Sequence, residues 1–93
     1  MKLTEGLLKP KGVTLHYWTG GKANAPLVVF THGAAIDHHE WDATLPLIGE
    51  KNSILIWDVR AHGLSRPAHF VIQDAVDDLV IQVPNRMKFD RNQ

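Results

Sequence analysis

Three groups of residues in this 93-residue chain are of types that carry out chemistry. Asp58, His62 and Ser65 fall in one short stretch, and an acid, an imidazole and a hydroxyl are the parts of a nucleophilic site. His38-His39-Glu40 offers metal ligands. His32-Gly33, with Ala34 and Ala35 behind it, ends the apolar run Leu27-Val28-Val29-Phe30-Thr31 in small residues that leave backbone N–H groups uncovered. A strand, a tight turn and a helix N-terminus can aim such groups at an anion.

Each group has a plainer reading. Ser65 has Gly63 two residues before it but Pro67 two residues after. A nucleophile elbow needs a small residue at that second position, because strand and helix approach closely there. Ser65 also lies well past the end of its strand, so a turn-stabilising hydroxyl is the preferred reading. Adjacent histidines on a helix diverge by about 100° and do not face one ion together. The His-Glu-x-x-His zinc motif would need a histidine where Ala43 stands. No metal site is expected, and whether His32, Asp37 and His62 converge is left to the fold.

The elements that must position these residues are legible from pattern. Leu3 to Leu8 and Val13 to Trp18 read as strands of an antiparallel hairpin around Lys9-Pro10-Lys11-Gly12. Thr19 to Pro26 reads as a loop. Leu27–Thr31, apolar at nearly every position, suits a strand buried on both faces, and so does Ile54–Trp57. Asp37 and Glu40 have capping-box spacing, so a helix is expected to start there. Trp41, Leu45 and Ile48 continue it, and Pro46 breaks or restarts it. Ala61 to Pro67 is a turn. Ile72, Val76, Leu79 and Val83 form one face of an amphipathic helix, expected to be core, with Asp74, Asp77 and Asp78 largely off that face. Pro84 is expected to end that helix, so residues 1–83 read as the folded domain and 84–93 as an irregular polar tail. Strands alternating with helices predict an α/β fold with a parallel sheet.

Composition removes several function classes. Formal net charge is zero, so nothing favours a nucleic acid or an anionic membrane surface. There is no cysteine, hence no disulfide framework or thiolate metal site. No segment approaches the length of a membrane span, and no signal peptide is apparent, so the expected compartment is the cytoplasm.

Two clusters resemble the α/β-hydrolase superfamily. One is the strand ending in His32-Gly33 with Trp41 and Leu45-Pro46 behind it. The other is Asp58-Val59-Arg60-Ala61-His62-Gly63-Leu64-Ser65-Arg66-Pro67, similar to that family's Asp-x-Arg-Gly-x-Gly-x-Ser turn with Ala61 in place of glycine. The resemblance covers roughly Gly6 to Val80 and implies the N-terminal part of a three-layer hydrolase. It implies that Ala34 supplies an oxyanion-hole N–H on a loop with Gly33, that Ala35 is its neighbour, and that His32 braces the loop. It makes Asp58, Arg60, His62, Gly63 and Ser65 structural parts of the second turn. Trp41 reads as core, although in some relatives this region borders the substrate cavity. Ala34 counts against a dehalogenase-like subclass, which tends to place asparagine there. No cofactor is implied.

The family's nucleophile follows on a Gly-x-Ser-x-Gly elbow, with its acid and base later still, and none of these motifs occurs in this sequence. The first reading is therefore an N-terminal portion of a serine-hydrolase-like enzyme for ester- or amide-type bonds of small molecules, truncated and inactive alone. The alternatives are a non-catalytic remnant or edge-pairing chain and, weakest, a histidine-based metal module. Without the elbow strand, Leu27–Thr31 would be an open, unguarded edge, and self-association through it is expected.

Overall fold

A computed structural model of the chain describes residues 1–66, 68 and 70–91. Pro67, which closes the predicted turn, and Asn92 and Gln93 of the predicted tail lie outside the described residues. Strands β1 (Leu3–Leu8) and β2 (Leu15–Gly21) pair antiparallel around a 3₁₀ turn at Pro10–Gly12. Strands β3 (Leu27–Thr31) and β4 (Ser53–Trp57) run parallel, and the sheet order is β1-β2-β4-β3. A 3₁₀ turn at His38–Trp41 and a short helix α1 (Leu45–Gly49) connect β3 to β4. A turn region after β4 leads into helix α2 (Ile72–Arg91).

The α/β class expected from the pattern is present, and the alternation of β4 shows how the layers form. Every residue of β4 is buried. Ile54 and Ile56 face one side of the sheet and pack with Phe30 and Leu45, joined by Trp41 and Ile48. Trp57 faces the other side and packs with Val59 and Ala75, joined by Tyr17, Val29 and Leu79. Period-two alternation thus gives α1 and α2 opposite faces to cover. β3 is not buried on both faces: only Phe30 is buried, Leu27 to Val29 are half-buried and Thr31 is exposed. Its place at the sheet edge is the reason.

β2 is shifted from its expected span, running into Gly20 and Gly21. Gly20 pairs with both Leu3 and Ile54, and a Cβ there would lie 2.8 Å from the Lys2 carbonyl oxygen. Glycine marks close backbone approach here, not a loop. The helix expected from Asp37 is a 3₁₀ turn at His38–Trp41, and the break expected at Pro46 is present. α1 starts afresh with Pro46 in its first turn, where the missing N–H costs nothing.

The amphipathic reading of α2 is overturned. Ile72 is 71% exposed and Val76 48%, and Val80 is exposed as well, whereas Ala75, Asp78 and Gln82 are buried and Leu79 is half-buried. The side chain of Val83 is outside those described. Arg60 explains the rotation. It is buried just after β4, and its Nε and Nη2 donate to the two oxygens of Asp78 at 2.7 and 2.8 Å. Its Nη1 lies 3.6 Å from Asp74. A guanidinium taken from water needs its carboxylate, so this pair fixes which side of α2 faces in. The hydrogen bonds to Asp78 keep Arg60 firmly charged, its pKa raised further. The helix also continues through Pro84 to Arg91, where an irregular tail was expected. Proline forfeits one donor and strains the preceding turn, but does not forbid the helix.

Among the described residues, no helix is long and apolar enough to cross a membrane. Asp78→Ala leaves the Arg60 guanidinium buried without its partner, so urea denaturation should show a loss of about 3–5 kcal/mol. A loss within about 0.5 kcal/mol would mean that the pair does not hold α2.

Candidate functional site

The chemistry-bearing residues gather where the chain leaves the carboxyl ends of the parallel strands β3 and β4. Two side chains tie the loops together there. His32 is buried, and the Val59 N–H donates to its Nε2 at 3.0 Å. A backbone N–H can only donate, so Nε2 is the acceptor and Nδ1 carries the hydrogen. Nδ1–H in turn donates to the Gly33 carbonyl at 2.7 Å. One imidazole thus joins the loop after β3 to the chain leaving β4.

Asp58 is the second tie. It has no exposed surface. Its Oδ1 accepts from the His38 N–H at 2.7 Å and from His38 Nδ1–H at 2.9 Å, and its Oδ2 accepts from the Leu64 N–H at 2.9 Å. Burial pushes this carboxyl up, but the Leu64 and His38 donors outweigh it and hold the pKa below the ordinary value. Gly63 passes so close that a Cβ there would strike the Asp58 carboxylate.

The loop between these ties is short and strained. Ala34 and Ala35 are exposed, and Ala35 has a φ of +65°. Among the described residues, the N–H groups of Ala34 and Ala35 have no acceptor. The Gly33 N–H does have one, the Glu40 carboxylate at 2.7 Å. The expected capping box is therefore half-formed. Asp37 accepts from the His39 N–H, but Glu40 reaches back to the loop instead of to Asp37. The loop borders two hollows. One, of about 460 Å³, lies between Ala35 to Asp37 and the Ala61 to Gly63 turn, with Arg66 at its rim. The other, of about 210 Å³, is lined by Thr31 to Ala34, Val59, His62 and the start of α2.

The second turn is held from within. Ser65 is fully buried, and its hydroxyl accepts from the His16 N–H of β2 at 2.9 Å. His62 Nδ1 lies 3.0 Å from the Arg60 carbonyl, and its ring is 5.1 Å from that of His32. Arg60 reaches α2 and not the turn, as described above. Trp41 packs on Phe30 with ring centroids 5.4 Å apart and lines neither hollow. His38 and His39 do not diverge. Their rings are 4.1 Å apart, and His38 stacks on Trp18 at 3.7 Å. Their Nδ1 atoms go to Asp58 and Asp42 respectively. The hydrogen bond to Asp42 raises the pKa of the exposed His39. Among the described residues, no group of three His, Asp or Glu side chains is placed to hold a metal ion.

Against known proteins this geometry has company. No family model matches the chain. Over 56 residues it is 36% identical to "Probable oxidoreductase EphD" of Mycobacterium tuberculosis and of Mycobacterium bovis, a stretch covering 60% of this chain. A loop variant of the haloalkane dehalogenase DbeA from Bradyrhizobium elkanii superposes on 91% of the chain with a TM-score of 0.79 at 22% identity. A hydrolase from Pseudomonas aeruginosa superposes on 90% with a TM-score of 0.77 at 26% identity. The fold is that of the α/β-hydrolases. The chain spans 10% of the matched curated relatives and 29% and 32% of the two solved structures. It therefore corresponds to part of an α/β-hydrolase fold.

Ala61 has a φ of +68° at the position where the family motif has glycine. A left-handed backbone at a residue with a Cβ costs about 1–2 kcal/mol, part of which glycine returns as unfolded-state entropy. Ala61→Gly should therefore stabilise the chain by about 1 kcal/mol, read as a higher urea midpoint at unchanged slope. A lower midpoint would remove the strain argument.

The depressed Asp58 pKa fixes a pH dependence. Its stabilisation is complete above the unfolded pKa, about 3.9, and is lost as pH falls towards the lower folded value. The wild-type chain should lose stability through that acid window. Asp58→Asn should be less stable at pH 7 yet lose less over the same window. Equal acid slopes in the two proteins would contradict the assignment.

Proposed function

We propose that this chain is the oxyanion-loop portion of a serine-hydrolase-like α/β-fold enzyme that cleaves ester- or amide-type bonds of small molecules, and that it carries no nucleophile of its own. The observation that carries this reading is the pair of unpaired, exposed N–H groups at Ala34 and Ala35, at the carboxyl end of β3. Acyl transfer places negative charge on a carbonyl oxygen as the tetrahedral intermediate forms. Backbone donors already fixed at that position stabilise it without reorganising. In this reading the Ala34 N–H is the donor, Ala35 shapes the adjoining cleft, and His32 and Glu40 keep Gly33 in place so that the loop does not collapse.

Asp58, His62, Gly63 and Ser65 act in this reading as positioning residues for the neighbouring turn, and Arg60 anchors α2. A serine with no exposed surface whose oxygen is taken by a backbone N–H is poorly placed to attack a substrate. The likeness to haloalkane dehalogenases concerns the fold, and Ala34 does not favour that chemistry. The partial match to an oxidoreductase covers too little of that protein to transfer its activity.

The purified chain should show no turnover of p-nitrophenyl acetate above buffer, and Ser65→Ala should be indistinguishable from it. Turnover that Ser65→Ala abolishes would make Ser65 a nucleophile and overturn the reading. The donor role needs a second protein, a chimaera joining this chain to the elbow-bearing remainder of an α/β-hydrolase. There Ala34→Pro, which deletes the N–H, should lower kcat by about 10²–10³-fold with the circular dichroism spectrum unchanged. An unaltered kcat would remove Ala34 from the site.

A further inference from the structure

We propose that His38 and His39 form a two-ligand site for a borderline divalent cation such as Ni²⁺, Cu²⁺ or Zn²⁺, bound through their two Nε2 atoms at the surface of the His38–Trp41 turn. The hydrogen bonds come first. His38 Nδ1 lies 2.9 Å from Asp58 Oδ1, and His39 Nδ1 lies 2.8 Å from Asp42 Oδ2. An ionised carboxylate can only accept, so each Nδ1 carries its hydrogen. Each Nε2 is then the nitrogen left to take a proton or a metal. A histidine that ligates a metal ordinarily donates its other ring N–H to a carboxylate or carbonyl. That bond fixes the tautomer, aims the ring and makes the ligating nitrogen more basic. Both rings already have that partner.

Access and spacing fit as well. Among the described residues neither Nε2 has a partner. The His39 side chain is 66% exposed. His38 is half-buried, but the buried side-chain atoms that lack a hydrogen bond among the described residues are Trp41 Nε1 and Gln82 Oε1. The unpartnered His38 Nε2 therefore reaches water. The two ring centroids are 4.1 Å apart. Imidazoles bound side by side to one ion, at metal–nitrogen distances of about 2.1 Å, have centres about 4–5 Å apart. Helical spacing alone would separate the rings. Here Trp18, stacked 3.7 Å from His38, and the bonds to Asp58 and Asp42 bring them together instead.

The local charge favours a cation. Asp42 first, then Asp37 and Asp58, each favour positive charge on His39. Among the described residues no lysine or arginine pairs with these three carboxylates. Two imidazole nitrogens, with water completing the shell, suit borderline cations, whereas Mg²⁺ and Ca²⁺ prefer oxygen. Neither histidine lines either hollow, and none of the groups involved lies on β3 or α2.

Isothermal titration calorimetry of the 93-residue chain with NiCl₂ should show saturable uptake of one ion per chain below about 1 mM. His39→Ala should weaken it by at least about tenfold. Asp42→Asn keeps both ligating nitrogens and should still weaken it by about 10–100-fold, as loss of a ligand's carboxylate partner does. Both substituted side chains are exposed, so the far-ultraviolet spectra should be unchanged. Paramagnetic broadening by Ni²⁺ should centre on the His38 and His39 rings and not on His16, which pairs singly with Glu5. Absence of saturable uptake, uptake indifferent to His39→Ala or to Asp42→Asn, or broadening centred on His16 would each overturn the proposal. None of these outcomes bears on the ester-hydrolysis reading, which is tested by turnover.

Discussion

The structure depends on the joining of two loops at one end of a parallel strand pair. A parallel pair delivers both chain exits to the same edge, and each exit carries polar backbone with no strand to pair it. Here the His32 imidazole and the Asp58 carboxylate are the connectors, one accepting from Val59 and donating to Gly33, the other accepting from His38 and Leu64. Buried polar groups of this kind hold their geometry because releasing any partner leaves an unsatisfied group away from water. The exposed Ala34 and Ala35 amides are what this clamp leaves open.

A second constraint acts on the far side of the sheet. Arg60 follows β4 into the interior, and its need for a carboxylate decides how α2 sits. Electrostatics overrides hydrophobic patterning there, since Asp78 goes in and Ile72, Val76 and Val80 go out. The cost is an apolar stripe beside an unpaired strand edge.

Much of this was legible from residue order. The hairpin, the two parallel strands and the restart at Pro46 follow from turn residues and apolar runs, which report local backbone preference. The edge position of β3 followed only from the family's strand order. What escaped depends on contacts between residues far apart in sequence. Asp78 looked like a solvated residue because its partner, Arg60, is 18 positions away. Glu40 had the spacing of a capping box, but spacing cannot say that Gly33 offers a competing donor. His38 reads in sequence only as a metal ligand to be set aside, because nothing local shows Trp18 stacked on it and Asp58 beneath it. The helix beyond Pro84 escaped because a proline inside a helix is penalised but not excluded. Ala61 was visible as a departure from a glycine motif, and its left-handed φ supplies the physical meaning of that departure.

The most direct measurement of the two-loop clamp is the tautomer of His32, read from imidazole ¹⁵N chemical shifts in the intact chain at neutral pH. The geometry requires hydrogen on Nδ1, with Nε2 shifted as an acceptor and coupled across a hydrogen bond to the Val59 amide. A His32 ring protonated at Nε2, or averaging freely between the two forms, would mean that the loops are not joined and that the Ala34 and Ala35 amides are not held in place.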